Sequence, residues 1–595
     1  MSYAHAANDG ITFQKDSATN DTTVTVTGGN YADFKMGGTA PHYVSKGAIY
    51  GASGDGKVSE YVTEYNNVNL NVSGGTGIGY LIGQSEQCGS KVTGNTNITV
   101  SGGEVGTLIG GSLYKTGGTY GFNNIKNTSA TANNGVVYWA YKDASDPDIN
   151  ITVTGGTVKQ IRGGHTNGSE HVYNSISHAL KQNDNGAAYN ALMTDKPWAV
   201  AGDVNISVGG DAVVGDGKKA IAGAGGSGHS VDGKVTVNVS GGTINGAIYG
   251  GSTNIYTEVG STEVNISGGT INGNVYGGGN YDDGAKKAAD FGLDPAVGPT
   301  VKGSSTVVLS GGTIDGNVYA AGVKDIVNGG THVVIKNGGA NVTGIISGKG
   351  EGATVTGDRL LSIENTGGAG VNWNQIKDFN AVEIKNSHLA LGTMNSEFKS
   401  VSVEGSHIFG NIDHEVQLNA NNSWLQIEGG LTTTKNSSIS NTSAPMEVHG
   451  NATFTGTSID NATIVADGDI AFNEDSLFAE DTPLRSSVTN SNLVAGGNMS
   501  FMESTMNGGT LSVGGELSID GATVVVDSIN NGDSVQLKGD TSVMVMPGDS
   551  DMNEGGFFMR YEPTSLTVNS DLKLAAGSSF KGAGDYFSLA EGINA

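Results

Sequence analysis

One short stretch recurs in near copies along the first half of the chain and constrains the fold more than any other feature. In one copy, residues 267–278 read SGGTINGNVYGG. The lead-in from Val264 to Ser267 has an apolar side chain at every second position, the period of a strand with one buried face. Glycine tolerates positive φ, so the pair Gly268-Gly269 predicts a sharp corner, after which alternation resumes with Ile271 and Val275. The predicted unit is strand, corner, strand, corner.

Pairs of glycines mark the successive repeats. They begin at Gly28, Gly74, Gly102, Gly155, Gly209, Gly241, Gly268, Gly311 and Gly338. The shortest step between pairs is about 27 residues, as from Gly241 to Gly268. A longer step has two explanations: one unit carrying an inserted loop, or two units of which one has degraded. The connections are too short for helical crossovers, so a coil that stacks on itself is predicted.

The repeat shortens from about residue 350. Glycine pairs become less frequent, and one serine position recurs at steps of 19 and 17 residues, in Ser387, Ser406 and Ser423. A second series places an aromatic residue four positions after a glycine, in Phe454, Phe472 and Phe501. A period near 18 residues accommodates three short strands with tight corners.

These patterns predict an all-β chain, a right-handed parallel β-helix (β-solenoid) with a few loop or short-helix insertions. We divide it into an N-terminal segment 1–20, a glycine-rich part 21–350 and a continuation with shorter coils, 351–595. The first segment contains Ala4-His5-Ala6, the small-x-small form of a signal-peptidase site. Three insertions interrupt the coils, at 112–147, 165–200 and 279–302. The second has apolar residues four apart from Val172 onward, which predicts a short amphipathic helix.

Composition and charge exclude several partners. With 97 Gly but only 9 Pro and no Gly-X-Y period, the chain is neither collagen-like nor a Pro-rich linker. Its formal net charge of -27 argues against nucleic acid, which proteins bind by neutralising phosphates with Lys and Arg. Cys88 is the only cysteine, which excludes an intrachain disulfide and a cysteine-based zinc site. No apolar run is long enough for a membrane-spanning helix.

The sequence contains no convincing catalytic or metal-binding pattern, so we predict no catalytic, cofactor-binding or metal-binding residue. Gly164-His165 and Gly228-His229 lack the partners of a polysaccharide hydrolase, and the acid pair Asp282-Asp283 is followed by Gly284 as in a turn. Calcium is the one weakly supported ligand. The oxygens that could bind it belong to Asp143, Asp146 and Asp148.

Two groups of side chains are candidates for an interaction surface. Tyr249, Tyr276 and Tyr319 occupy the same place in three consecutive units, so stacking would make them neighbours. They would form either an aromatic strip for sugar rings or partner side chains, or a ladder that only stabilises the coils. His171 and His178 lie in the second insertion, where a loop on a rigid scaffold could bind a partner. The alternative for both histidines is an ordinary loop or helix surface.

The repeats resemble those of a known family. The pattern of residues 264–278, VNISGGTINGNVYGG, followed by coils such as GNATF at 450–454, is similar to passenger domains of bacterial autotransporters, the type V secreted β-helix proteins. The resemblance covers most of residues 20–580 and implies export across the outer membrane, with display at the cell surface or release into the medium. The family also implies a signal peptide before the passenger and a translocating β-barrel after it. Neither is recognisable between Met1 and Ala595. Either the sequence is a fragment of a passenger, which would associate with a membrane only through a missing C-terminal barrel, or the resemblance stops at the fold.

Such passengers include adhesins, self-association factors and a minority of enzymes. The expectation is therefore a non-catalytic adhesin or spacer that binds host or bacterial surface glycans or proteins through loops on a rigid rod, with self-association also open. One alternative is a polysaccharide-active β-helix enzyme, a lyase or hydrolase. Another is a structural filament or fibre protein.

Overall fold

The protein is built from β-strands throughout the part that the structure describes. The structure is a computed structural model and describes residues 10–32, 44–45, 48–52, 63–84, 90–112, 148–165, 199–225, 230–253, 255–281, 297–367, 375–393, 398–412, 414–473, 485–538, 541–545, 558–562, 564–574, 580–581 and 587–589. These ranges contain no α-helix. Most strands pair in parallel with the equivalent strand of the next coil. The predicted all-β class is confirmed, and the parallel stacking is consistent with a β-solenoid.

Two compact units divide the chain. The first comprises residues 1–361 and 375–379. Its strands are β1 (Ile11–Lys15), β2 (Thr22–Val26), β3 (Val44–Ser45), β4 (Ala48–Tyr50), β5 (Thr63–Tyr65), β6 (Val68–Ser73), β7 (Ile78–Ile82), β8 (Ser90–Val92), β9 (Thr96–Ile109), β10 (Ile149–Arg162), β11 (Val204–Val208), β12 (Val213–Ala222), β13 (Val231–Tyr249), β14 (Glu258–Asn272), β15 (Val275–Tyr276), β16 (Thr300–Val301), β17 (Ser305–Ile314), β18 (Val318–Tyr319), β19 (Ile326–Val327), β20 (Thr331–Lys336), β21 (Asn341–Val342), β22 (Ile346–Ser347), β23 (Thr354–Val355), the start of β24 (Arg359–Glu364), and β25 (Ile376–Lys377).

The second unit comprises residues 362–374 and 380–595. After the end of β24, its strands are β26 (Ala381–Lys385), β27 (His388–Thr393), β28 (Ser400–Glu404), β29 (His407–Asn411), β30 (Glu415–Asn421), β31 (Trp424–Ile427), β32 (Leu431–Thr433), β33 (Ser437–Ser440), β34 (Met446–Val448), β35 (Ala452–Thr455), β36 (Thr457–Asp460), β37 (Thr463–Ala466), β38 (Ile470–Asn473), β39 (Ser487–Ala495), β40 (Met499–Met502), β41 (Thr505–Val513), β42 (Leu517–Asp520), β43 (Thr523–Asn531), β44 (Val535–Lys538), β45 (Thr541–Val545), β46 (Phe558–Glu562), β47 (Ser565–Leu574), β48 (Phe580–Lys581) and β49 (Phe587–Leu589).

In the first unit, each long step between glycine pairs is one coil with an insertion. β9 pairs directly with β10, and the side-chain amide of Asn150 donates to Asn97, 53 positions earlier, at 3.0 Å. β14 likewise pairs directly with β17, with Val264 opposite Val307. A degraded coil in between would have separated these strands, so that alternative is wrong for these steps.

The two glycines of a pair are needed for different reasons. A Cβ on Gly268 would lie 2.4 Å from the carbonyl oxygen of Ser240 in the preceding coil, closer than any side chain can approach. Gly269 has a φ of +81°, which favours glycine. β14 continues through the pair, but its register against β13 shifts there. The predicted corner is therefore a bulged bend inside a continuous strand rather than a break between two strands.

Alternation separates an apolar inside from a polar outside in the first unit. Val264, Ile266, Ile271 and Val275 are all 0% exposed, as their spacing predicts. Asparagines on the opposite strand face form hydrogen-bonded rows, such as Asn69, Asn97, Asn150 and Asn205, with amide contacts of 3.0 to 3.1 Å. The asparagine side chains thus form hydrogen-bonded ladders across successive coils of this unit.

Between β30 and β38, the second unit stacks three short strands per coil, as the 18-residue period predicts, whereas β39, β41 and β43 each span two of the three rows. β30, β33 and β36 form one row, β31, β34 and β37 a second, and β32, β35 and β38 a third, all in parallel. The third row holds the repeated phenylalanines. The Phe472 ring stacks between those of Phe454 and Phe501, at centroid distances of 5.2 and 4.9 Å, and all three are at most 1% exposed.

Most of the three insertions, with the predicted short helix, lies outside the described residues. Within the part of the chain that the structure describes, no helix is long and apolar enough to cross a membrane.

Candidate functional site

The first candidate site is the tyrosine ladder, formed by Tyr249, Tyr276 and Tyr319. The pairing of β13 with β15, and of β15 with β18, places the three residues in line. Their rings stack at centroid distances of 4.7 and 4.9 Å, with interplanar angles of 7° and 8°. The three residues are therefore neighbours, as their equal positions in the repeat predict.

The hydroxyls of Tyr276 and Tyr319 form hydrogen bonds with neighbouring side chains. The Tyr276 hydroxyl donates to Glu351 Oε1 at 3.1 Å and accepts from the Asn274 amide at 2.9 Å, while the Asn317 amide donates to the Tyr319 hydroxyl at 3.1 Å. Burial above all, with a smaller effect of Glu351, raises the pKa of Tyr276 well above its ordinary value. The phenol therefore stays protonated at physiological pH and can keep its bond to Glu351.

The tyrosine ladder offers little surface to a partner. Its three side chains are 4 to 8% exposed, and Ala247, Val323 and Ile345 pack against them. Both faces of the Tyr276 ring are covered, one by Tyr249 and the other by Tyr319, so a ligand cannot stack on that ring. This geometry favours the stabilising ladder over the sugar-binding strip. The other predicted interaction residues, His171 and His178, lie outside the described residues.

Of the weakly supported calcium ligands, only Asp148 is described. Its Oδ1 accepts the backbone N–H of Asp203 at 2.9 Å, and its own N–H donates to Asn95 Oδ1 at 3.1 Å. These contacts make Asp148 one member of a row of corner side chains that link successive coils. Asp143 and Asp146 fall outside the described residues, and no group of three or more metal-ligand side chains occurs among the residues that are described.

A buried carboxyl group lies in the same unit as the tyrosine ladder. Asp325 is 1% exposed, and its Oδ2 accepts the backbone N–H groups of Gly279 at 3.0 Å and Gly322 at 2.9 Å. Its Oδ1 has no hydrogen-bond partner among the described residues. Burial raises the pKa of Asp325 to about 7, because the charged form loses its hydration and gains only two donors.

A second aromatic row stands in the second unit and begins at the serine positions seen in the sequence. The Ser387 N–H donates to Ser406 Oγ at 3.0 Å, and the Ser406 N–H to Ser423 Oγ at 3.3 Å. All three serines are at most 6% exposed, and each hydroxyl donates to the carbonyl two residues earlier at 2.8 Å. The same hydrogen bonds therefore fix each corner of this row, and the side chain of the residue after each serine points in the same direction.

The residues that follow these serines form the histidine–tryptophan ladder: His388, His407 and Trp424. The register of β27, β29 and β31 aligns them. The rings of His407 and Trp424 stack at 4.0 Å with an interplanar angle of 3°, and His388 lies 4.4 Å from His407 with a tilt of 44°. His388 is exposed, and the other two are half-buried. This ladder therefore faces solvent.

A hydrogen-bonded chain of side chains extends from the middle of this ladder. His407 Nε2 lies 3.1 Å from Gln426 Oε1, and Gln426 Nε2 donates to Glu447 Oε2 at 2.8 Å. Because the amide oxygen can only accept, we assign the proton of His407 to Nε2. Phe409, two residues from His407 on the same strand face, is 42% exposed. The surface thus combines aromatic rings with oriented polar groups.

At the His388 end of the ladder, the equivalent position in the preceding coil is a glycine, Gly367. The Thr366 N–H donates to Ser387 Oγ at 3.1 Å, and the His388 N–H donates to the Thr366 carbonyl at 2.9 Å, which repeats the bonds of the later coils. Thr366 is thus equivalent to Ser387, and Gly367 to His388. The Gly367 pocket, a shallow open pocket of about 470 Å³, lies here, and its lining includes Asn365, Thr366, Gly367, Asn386, His388 and His407.

Sequence reasoning found the period of this row but did not identify it as a site. The available signal was the residue after each aligned serine, which is aromatic in three successive coils: Ser387-His388, Ser406-His407 and Ser423-Trp424. In a stacked coil such residues must become neighbours. Their solvent exposure, in contrast to that of the tyrosines, required the structure.

No protein-family model, curated protein or solved structure matches the chain. The comparisons therefore leave the resemblance to autotransporter passengers as an expectation. Evidence on function therefore comes from the two aromatic ladders and the polar groups around them.

Proposed function

We propose that the chain is a non-catalytic, extracellular or surface-displayed binding protein, a right-handed parallel β-helix of the autotransporter passenger type that acts as an adhesin or spacer. Its partners are glycans or proteins of host or bacterial surfaces. Many weak contacts along stacked coils sum to firm attachment, because each bound contact raises the effective concentration of the next.

The observation that carries this proposal is the solvent-facing histidine–tryptophan ladder with its amide and carboxylate neighbours. Hydrogen-bonded strands on both sides hold these side chains, and His407 is oriented further by Gln426. A surface ordered before binding loses little conformational entropy when a partner arrives. Aromatic rings beside amides are also suited to sugars and to protein side chains alike.

Binding of the purified chain to immobilised mucin-type glycans, bacterial polysaccharides and intact cells tests the proposal. We expect saturable binding without release of reducing ends or unsaturated products. Replacing residues 167–198 by a short Gly-Ser linker should weaken attachment to cells if the insertions share in binding, as loops on a scaffold commonly do. Binding no greater than that of an unrelated β-solenoid, by the whole chain on every surface, would contradict the proposal.

A polysaccharide-active enzyme is the second candidate, and the contact between Tyr276 and Glu351 favours it. A carboxylate beside a protonated phenol can serve general acid–base chemistry, and Glu351 is exposed. The closed packing of the ladder leaves the phenol little access to substrate. Product formation from any of these glycans that disappears in Glu351→Gln would establish this candidate in place of the first.

A further inference from the structure

We propose that the Gly367 pocket binds one neutral pyranose ring of a surface glycan, seated against the outer face of His388. The inference depends on the proposed function and specifies the ligand class at one end of the exposed aromatic row.

The first step is the geometry of the missing ring. His407 stacks on Trp424 and His388 lies tilted against His407, whereas the equivalent position before His388 is Gly367. A Cβ built at Gly367 would meet no atom of the described residues within 4 Å, so these residues leave the space beside His388 open. A flat, ring-sized ligand can therefore continue the stack without moving any of the side chains that form it.

The second step is the hydrogen-bonding capacity of the pocket. The side-chain amides of Asn365 and Asn386 make no hydrogen bond to the described part of the protein, although backbone bonds hold both residues at the corner. Both have positive φ, 52° and 48°, and the Asn386 amide lies over Gly405. Each amide provides donors and an acceptor, the combination that pairs with neighbouring sugar hydroxyls.

The third step is charge. The described residues of the lining include neither Lys nor Arg, so they offer no fixed cation to the carboxylate of an acidic sugar or to a phosphate. The net charge of the whole chain is -27, which repels anions at longer range. A nucleotide or a sialylated or uronic-acid chain would therefore bind less well than a neutral hexose polymer.

The fourth step excludes an aromatic side chain as the better occupant. Such a ring would stack on His388 but would leave both asparagine amides without partners. A pyranose satisfies them and also presents C–H groups to the imidazole face. The two asparagine amides together with the imidazole face therefore favour the sugar.

The test compares two substitutions at one position. Gly367→Trp fills the gap with an indole ring, whereas Gly367→Ala adds one methyl group in open space. A glycan array identifies the neutral glycans that bind, and isothermal titration with the best oligosaccharide measures the affinity. We expect Gly367→Trp and His388→Ala to weaken binding at least tenfold, a loss of about 1.4 kcal/mol, and Gly367→Ala to change it less than twofold.

The outcomes separate this inference from the proposed function. Unchanged glycan affinity in both Gly367→Trp and His388→Ala would overturn the pocket while leaving the adhesin proposal intact. Preferential binding of acidic glycans, or of an aromatic peptide, would also overturn it.

Discussion

The tyrosine ladder and the histidine–tryptophan ladder use the same device in two different settings. In both, parallel pairing aligns one aromatic residue per coil, and the centroids of neighbouring rings lie 4.0 to 4.9 Å apart. The tyrosines are 4 to 8% exposed, the Tyr276 hydroxyl bonds to Glu351 and Asn274, and the Tyr319 hydroxyl bonds to Asn317. The second ladder is open to solvent and ends beside Gly367.

The difference shows that equal positions in a repeat are enough to form a ladder. Whether the ladder stabilises the core or faces solvent depends on the side chains that pack over it. Side chains such as Ile345 and Val323 pack on the tyrosines, so those rings contribute to stability. Among the described residues, no comparable apolar cover lies over His388, and none donates to or accepts from the side-chain amides of Asn365 and Asn386. Parallel alignment of one aromatic residue per coil therefore gives a buried core element in one unit and a solvent-exposed aromatic row in the other.

The strongest test of this contrast is the removal of the middle tyrosine. Tyr276→Ala should lower the free energy of unfolding by about 3 to 5 kcal/mol, since it leaves a cavity between two rings and removes the partner of Glu351. Urea unfolding followed by circular dichroism measures the loss. Tyr276→Phe keeps the stack and should cost only about 1 kcal/mol. Equal losses in the two variants would show that the stacked ring contributes nothing.

The pH dependence of stability tests whether the Asp325 carboxyl group is as buried in the first unit as the structure shows. The pKa of Asp325 is raised from 3.8 to about 7 in the folded protein, so folding favours the protonated form. The stability that this proton contributes is fully present below the unfolded pKa and is lost as pH rises through about 7. Asp325→Asn carries no charge, and we expect it to be about 2 to 3 kcal/mol more stable than the native chain at pH 8, less than the full shift implies because the new amide N–H₂ is unpartnered.

The matched control is Asp216→Asn, which removes an exposed carboxylate from the same unit. It should leave the stability unchanged at both pH values. Thermal unfolding of the three proteins at pH 4 and pH 8 makes the comparison, and the advantage of Asp325→Asn should disappear at pH 4. A constant difference between native chain and Asp325→Asn at both pH values would mean that the carboxyl group does not titrate as its burial requires.

Trp424→Ala applies the same truncation to the exposed ladder. Trp424 is half-buried and stacks on one side against His407, so we expect a loss of about 1 to 2 kcal/mol in urea unfolding, less than for Tyr276→Ala. His388→Ala, at the exposed end, should cost less again. A loss at Trp424 as large as that at Tyr276 would contradict the view that cover sets the energetic role of each ladder.

The sequence was sufficient for the parts of the fold that depend on periodicity. Alternation located the buried Val264 and Ile271, and repeated positions aligned Tyr249, Tyr276 and Tyr319. These features follow from local geometry, because the spacing of residues in the sequence shows both the strand period and the coil length.

The candidate site was less predictable because exposure depends on residues distant in sequence. Tyr276 is covered partly through Glu351, 75 positions later, and nothing in the repeat itself indicates that contact. The Gly367 pocket arises from a side chain that is absent, which a search for chemical motifs passes over. Asp325 also looks like an ordinary turn residue until its burial is known.

The smallest expected effect is at Phe409, and the matched comparison is Phe472 of the same unit. Phe409 is 42% exposed on β29, whereas Phe472 is 0% exposed on β38 and stacks between two other rings. Threonine keeps the β-propensity of either position, so substitution by Thr isolates the contribution of the ring. We expect Phe409→Thr to change the free energy of unfolding by less than about 0.5 kcal/mol, and Phe472→Thr to cost about 3 to 5 kcal/mol. A large loss at Phe409 would mean that another part of the protein covers this face, and the histidine–tryptophan ladder could then no longer be treated as a surface available to a glycan.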